Sequence, residues 1–498
     1  MRSTIEIVDY YASHAPARVA VRSGSTAWTY RQLHDNAVAI ARTLEREGAR
    51  VLALAADNHV AWVAADLAAQ IAGITLVPLP SYFSAEQTRQ ALRETGADGV
   101  LADGAFSRQL FRVGGESATT LSVTSELFLS RLPRERTELR LPLATAKVSY
   151  TAGTTGNPRG VCLAQPAMDS VAQSLWAATA DLELAKHLCL LPLATLLENV
   201  AGVYAPLRNG AEIVLPGLRE AGLAGPAGLD VRRLVECIAA HRPHSIILLP
   251  QTLAVLVAAI EAGAPRPDSL RFAAVGGARV PASLLERAER LGLPVYECYG
   301  LNECASVVAL NTPAVRRAGS VGRVLSHASI RIDERSEIRV SGTALSRYVG
   351  DRDAAVEEVA TGDVGRIDAD GFLYVTGRRK SLFITSFGRK VSPDWVEAEL
   401  TRSLPIAQAA LFGESRPWNV AVIVPSGPHV AAREIQAAVD AVNSTLPDYA
   451  RVLDWIRAEA PFTPENGLLT PNGRNRRAAV WSRYRGQVDA CYCDSIAI

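Results

Sequence analysis

Apolar positions along this chain follow two alternating rhythms. From Thr29 to Gly48 they recur every three or four residues, so Tyr30, Leu33, Ala37, Ile40, Ala41 and Leu44 share one face of a predicted helix. Thr29 and Gln32 match a capping box at its start, and Gly48 closes it. Val51–Ala55 is then a short apolar strand, Trp62–Ile71 is helical, and Ile74–Leu79 is a strand again. Similar strands recur at Gly99–Ala102, Ala211–Leu215, Ser245–Leu249, Phe272–Val275 and Val295–Tyr299. Apolar strands of about five residues set between helices predict parallel sheets covered on both faces.

After Arg323 the texture changes. Ser329–Asp333, Glu337–Ser341 and Phe372–Thr376 read as short strands between polar turns, which predicts a small β-rich subdomain over about 323–379. The polar run Gly377-Arg-Arg-Lys380 marks a boundary. Beyond it Ile384, helix Pro393–Leu400, strands Ala407–Phe412 and Val420–Val424, and helix Ala431–Leu446 make a compact α+β unit. The predicted fold class is therefore α/β, with a large N-terminal domain over 1–379 and a smaller α+β domain over 380–498. A length of 498 residues independently calls for two or more domains.

Composition narrows the function classes. Hydrophobic content of 48% with 21% charged residues describes a globular protein, and a net charge of +1 indicates neither nucleic-acid binding nor a polybasic membrane anchor. The first residues lack the apolar core of a signal peptide, and the most apolar stretch, Val60–Pro80, is broken by Asp66, Gln70 and Gly73. No membrane span is expected. Seven scattered cysteines suit a reducing cytoplasm. Cys491-Tyr-Cys493 has no second pair to hold zinc, and Cys298 and Cys304 read as packed thiols. His187, His241 and His244 read as core or surface residues, not bases. Pro216–Pro226 is a Gly/Pro-rich loop.

One stretch carries candidate chemistry. Ser149-Tyr-Thr-Ala-Gly-Thr-Thr-Gly-Asn-Pro-Arg-Gly-Val161 packs glycines, hydroxyls and a cation into a short loop between apolar segments. Glycines let backbone N–H groups approach a polyanion, and the hydroxyls and guanidinium add donors. It is no Walker loop, since Gly-Lys-Ser/Thr is missing. On these residues alone a phosphate cradle and a plain surface turn both remain open.

Three further motifs follow in order: Tyr299-Gly-Leu-Asn-Glu303, Thr361-Gly-Asp363 with Gly377-Arg378, and Asn466-Gly-Leu-Leu-Thr-Pro-Asn-Gly-Arg474. Together with the loop they resemble the acyl-adenylate-forming superfamily of acyl-CoA synthetases, amino-acid adenylation domains and firefly luciferases. The likeness spans nearly the whole chain. Thr385-Ser-Phe-Gly388 and the tail are nearest in pattern to fatty acyl-CoA synthetases.

That resemblance implies an enzyme that joins a carboxylic acid to ATP as an acyl-adenylate, releases pyrophosphate, and passes the acyl group to the thiol of CoA. It implies that Thr151, Ala152, Gly153, Thr154, Thr155, Gly156 and Arg159 hold the β- and γ-phosphates. Gly277 and Ala278 line the adenine and acid sites, and Tyr299 and Gly300 border adenine. Asn302 approaches the α-phosphate, and Glu303 ligates Mg²⁺, as a hard carboxylate oxygen should. Asp363 accepts from the ribose hydroxyls and Arg378 adds a ribose or phosphate contact. Lys380 is the hinge on which the C-terminal domain turns, Ser386 and Gly388 border the acceptor channel, and Arg474 is the catalytic cation of the tail.

The chain departs from the family pattern at Ala152, Arg159, Thr195, Asn302 and Arg474, where Ser, Lys, His or an aromatic residue, Thr and Lys are usual. Thr195 leaves the family's gating role open. No Asp lies between Leu191 and Val200 to bind an α-amino group, while Ala201, Gly202 and Val203 are small or apolar, which favours an apolar acid. Three alternatives stand beside CoA transfer. They are a carrier-protein phosphopantetheine as acceptor, activation of a non-carboxylate anion as in diazotases, and a catalytically silent relative kept as a binding protein.

Overall fold

The computed structural model describes residues 2–81, 83–106, 120–132, 141–151, 158–224, 228–342, 347–351, 357–379, 383–386, 390–470 and 473–493. Ala152, Gly153, Thr154, Thr155, Gly156, Lys380 and Gly388 therefore lie outside the described residues.

Helix Tyr30–Arg46 forms with both capping-box hydrogen bonds between Thr29 and Gln32, and it buries the six apolar residues on its predicted face. Helix Val60–Ile71 is different: ten of its twelve residues are buried, which is why its sequence is apolar almost all round. Both pack between two large sheets. In the first, strand order from edge to edge is 347–348, 159–164, 145–151, 75–78, 51–55, 99–102, 128–131 and 120–122. In the second it is 323–324, 306–310, 295–301, 272–275, 245–248, 186–188, 212–214, 19–23 and 26–29.

One core joins the facing sides, with Leu52, Leu54 and Leu76 from the first sheet, Ile247 and Phe272 from the second, and the helices between. Helix Ala85–Thr95 covers the outer face of the first sheet, and helices Val231–His241, Pro250–Glu261 and Ala282–Arg290 cover that of the second. The sheets are parallel at their centres, as the strand rhythm predicts. Their edges are not. Strands Thr145–Thr151 and Arg159–Ala164 pair antiparallel, as do Val295–Leu301 and Ser306–Leu310. In both places the paired strands follow one another in the chain, and both pairs end at the candidate site.

The β-rich region is a four-stranded antiparallel sheet of Ala328–Ile332, Glu337–Gly342, Glu358–Ile367 and Leu373–Arg378. Near the C-terminus, helices Pro393–Leu400 and Ala432–Thr445 and strands Ile406–Phe412 and Asn419–Pro425 appear within a residue or two of expectation. Strand Val452–Arg457 and helix Arg477–Cys493 are additions to the expected set, and the Pro216–Pro226 loop includes the start of a two-strand ribbon, Leu223–Ala224 with Gly228–Leu229. Among the described residues no helix is long and apolar enough to cross a membrane.

Candidate active site

The two antiparallel turns place Arg159 and Glu303 near one another. Thr151 and Arg159 face each other at the mouth of the first hairpin, flanking the Gly/Thr-rich loop. In the second, the register slips between Tyr299 and Gly300. A Cβ on Gly300 would lie 2.0 Å from the Ser306 carbonyl oxygen, so no larger residue fits there. The slip leads into a short 3₁₀ turn, Asn302–Cys304. Asn302 Nδ2 ties that turn back to the first hairpin, donating to Ser149 Oγ at 3.1 Å and to the Tyr150 carbonyl at 3.4 Å.

Glu303 Oε1 accepts a hydrogen bond from Tyr348 Oη at 2.6 Å, and the Arg159 guanidinium stacks on the same ring with Cζ 3.6 Å from its centroid. Burial, reinforced by the Glu303 carboxylate, raises the Tyr348 phenol well above its ordinary range, so it remains a donor. Among the described residues Glu303 Oε2 has no partner. A free, half-buried carboxylate oxygen is a suitable ligand for Mg²⁺.

Asp363 and Arg378 face each other across neighbouring strands and form an ion pair, with Arg378 Nε 2.8 Å from Asp363 Oδ1. Tyr299 Oη donates to Asp363 Oδ2 at 2.7 Å. The carboxylate is thus buried and oriented, with its remaining lone pairs available to ribose hydroxyls. Gly277, at φ +79° where glycine is favoured, turns its carbonyl toward the C-terminal tail and accepts a hydrogen bond from Arg474. Arg474 itself sits in a tight turn: Thr470 N–H donates to the Arg474 carbonyl at 2.7 Å, and Arg474 N–H to Thr470 Oγ1 at 3.1 Å. Burial and then the Arg378 charge lower its pKa, yet a guanidinium starts so high that it stays charged.

Glu297, two residues before Tyr299, is half-buried, and burial pushes its carboxyl up to about 8 against the partly offsetting Arg279 charge. A folded-state value raised above the ordinary 4.5 means that stability present below pH 4.5 is lost as pH rises toward 8. Glu297→Gln is therefore expected to melt like the parent near pH 4.5 and on the order of 2–4 °C higher near pH 8.5. Equal melting temperatures at pH 8.5 would mean the carboxyl is not desolvated.

An apolar cavity of about 670 Å³, counting the part open to solvent, adjoins this site. Its lining runs from Ala274 and Cys298, close to Gly276–Ala278 and Tyr299, to Thr179, Leu184 and Asn209, which are partly exposed. Ala201, on a seven-residue π-helical segment Glu198–Tyr204, lines it as well. His187 at the wall is buried and engaged on both ring nitrogens, by Ser245 Oγ at 2.9 Å and Glu198 Oε1 at 3.1 Å. It is a core histidine, as expected. Thr195 lies in the turn before that segment, where its carbonyl accepts the Asn199 N–H at 3.0 Å. Ser386 is exposed, its N–H donating to the Arg416 carbonyl at 2.9 Å.

Sequence patterns missed Tyr348, Cys298 as a cavity wall, and a buried polar cluster behind the site. In that cluster Lys147 Nζ lies 2.7 Å from Asp66 Oδ1 and donates to Tyr204 Oη at 2.8 Å, while Asn199 Nδ2 donates to Asp66 Oδ2 at 2.9 Å. It fastens the strand leading into the Gly/Thr-rich loop to the segment framing the cavity. Asp66, which breaks the apolar run in the sequence, is thus a buried partner.

Comparison with known proteins gives the family of the chain. A family model described as AMP-binding enzyme matches residues 8–344, and one described as AMP-binding enzyme C-terminal domain matches residues 380–495. A 2-succinylbenzoate–CoA ligase of Geobacillus sp. (strain WCH70) is 28% identical over 432 residues, covering 81% of this chain and 83% of that protein. A long-chain-fatty-acid–CoA ligase of Mycobacterium bovis is 25% identical over 543 aligned positions, covering 89% and 88%. The solved o-succinylbenzoate CoA synthetase of Bacillus subtilis, in complex with its acyl-adenylate intermediate, shares the fold with a TM-score of 0.75 at 22% identity, over 96% of this chain and 98% of that one. Matched over more than half its length, with the hairpin, Glu303 turn, Asp363–Arg378 pair and Arg474 loop gathered on one side, the chain belongs to the AMP-binding enzyme family.

Proposed function

We propose that this AMP-forming ligase activates an apolar, fatty acyl-type carboxylic acid with ATP and transfers the acyl group to the thiol of CoA. The observation that carries the proposal is Arg474. A cation from the C-terminal tail reaches the Gly277 carbonyl beside Asp363 and Arg378, so positive charge converges where a carboxylate and a triphosphate would meet. Two anions react only if their charge is screened and their approach aligned.

In this mechanism Arg159 and the Gly/Thr-rich loop hold the outer phosphates. The turn that Asn302 anchors approaches the α-phosphate, Asp363 orients the ribose, and Arg474 and Arg378 take up charge as the carboxylate attacks. Mg²⁺ would be held by Glu303 and supplies further charge neutralisation. The C-terminal domain, from about residue 380, turns on Lys380 so that Ser386 and Gly388 border the thiol's route. Cytoplasmic working suits a protein whose six described cysteines are free thiols.

The acid is read as apolar because, among the described residues, the cavity lining offers no unpaired cation. A second carboxylate such as that of succinylbenzoate would lie against His187, already bound to Glu198, and an unpaired buried charge costs several kcal/mol. Its extent toward the surface favours a tail over a compact ring. Acid-dependent ATP–pyrophosphate exchange tests this with octanoate, dodecanoate, benzoate, succinylbenzoate and leucine. Dodecanoate or octanoate should lead, and Ala201→Phe, which fills the cavity, should reduce the longer acid about tenfold more than the shorter. Leucine or succinylbenzoate as the best substrate would sink the assignment.

A further inference from the structure

The Arg159–Tyr348–Glu303 arrangement points beyond the ligands themselves. Arg159 stands where the family has Lys, and a guanidinium differs from an ammonium in one relevant way: its planar fork grips a carboxylate bidentately. Glu303 is the carboxylate on the facing turn. Left to each other, the two would form an ion pair and withdraw both charges from a metal–nucleotide complex. Among the described residues Arg159 makes no ion pair. Tyr348 stands between them, with its face under the guanidinium at 3.6 Å and its hydroxyl on Glu303 Oε1 at 2.6 Å.

One ring thus gives each charge a partner without neutralising either. The cation meets the negative face of the π-system, and the anion meets an O–H at the rim. Tyr348 is itself held by backbone pairing of its strand, Arg347–Tyr348, with Cys162 and Val161, and by its N–H on Asp351 Oδ2 at 3.1 Å. Asn302 anchors the opposite turn to the same hairpin, so the spacing does not depend on flexible side chains alone.

We propose that Tyr348 is a positioning residue that keeps Arg159 and Glu303 apart, leaving the cation for phosphate and the carboxylate for the divalent metal. This rests on the nucleotide and metal roles proposed above.

The test reads metal binding, not turnover. Mn²⁺ binding is followed by electron paramagnetic resonance with a saturating α,β-methylene analogue of ATP, and far-UV circular dichroism confirms that each variant is folded. Tyr348→Phe keeps the stack and loses the hydroxyl. Its Mn²⁺ affinity should fall about tenfold, as loss of a partner to a metal-ligating carboxylate does, with metal-free nucleotide affinity little changed. Tyr348→Leu loses both contacts and should bind Mn²⁺ more weakly still. Adding Arg159→Ala to Tyr348→Leu should then recover Mn²⁺ affinity at least tenfold relative to the single variant, because the competing cation is gone. A structural role for the ring predicts no such recovery. Parent-like Mn²⁺ binding by Tyr348→Phe, or no recovery in the double variant, overturns the proposal while leaving the ligase assignment intact. Absence of Mn²⁺–nucleotide binding by the parent overturns both.

Discussion

Arg474→Ala is expected to slow acyl-adenylate formation by about 10²–10³, the usual cost of removing one donor aimed at developing negative charge. Arg474 and Arg378 lie near enough for the charge of one to lower the pKa of the other, and Asp363 holds Arg378 directly. Asp363 and Asp394 offset the mutual repulsion of the two cations, and an anion entering between them would strengthen that balance. The short turn between Thr470 and Arg474 fixes the backbone from which Arg474 projects. Single-turnover measurements should find the loss confined to adenylation. Thioester formation from supplied acyl-adenylate should proceed at close to the parent rate, because the proposed turn of the C-terminal domain would then present its other face. Arg474→Lys should recover part of the loss, since it keeps the charge but not the fork. Full ATP–pyrophosphate exchange in the alanine variant would show that the tail takes no part.

Glu303→Gln is expected to lower adenylation by 10²-fold or more, as charge stabilisation worth several kcal/mol is lost. The substitution is close to isosteric, and Gln Oε1 can still accept the Tyr348 hydrogen bond seen at 2.6 Å. Its fold should therefore survive, with an unchanged melting temperature. A neutral amide is a poorer Mg²⁺ ligand than a carboxylate. The variant should accordingly require more Mg²⁺ for half-maximal exchange. Parent-like exchange at the parent's Mg²⁺ requirement would remove Glu303 from the mechanism.

Much of this was legible from the chain because the relevant signals are local. A capping box needs only Thr29 and Gln32, and a buried parallel strand such as Val51–Ala55 announces itself by five apolar residues in a row. Residues whose role depends on distant partners were harder to read. Tyr348 lies 45 positions from Glu303 and belongs to a two-residue strand, so no periodicity marks it. Lys147 and Asp66 look like surface charges until the fold buries them at 2.7 Å, each requiring the other. Helix Arg477–Cys493 does carry a signal, with Val480, Tyr484, Val488 and Tyr492 buried at every fourth position. Arginines between them and the short apolar stripe hide it. Strand Glu358–Ile367 escapes notice for a related reason: it carries Thr361, Gly362 and Asp363 in its middle, a turn-like sequence that serves the site.

The central claim is that an acid's carboxylate oxygen attacks the α-phosphorus of ATP. Dodecanoate labelled with ¹⁸O in its carboxyl group, incubated with ATP, Mg²⁺, CoA and the protein, tests it in one mass spectrum. AMP carrying one ¹⁸O atom, formed in step with dodecanoyl-CoA, is the expected product. Unlabelled AMP, or ¹⁸O appearing in inorganic phosphate, would contradict adenylate formation.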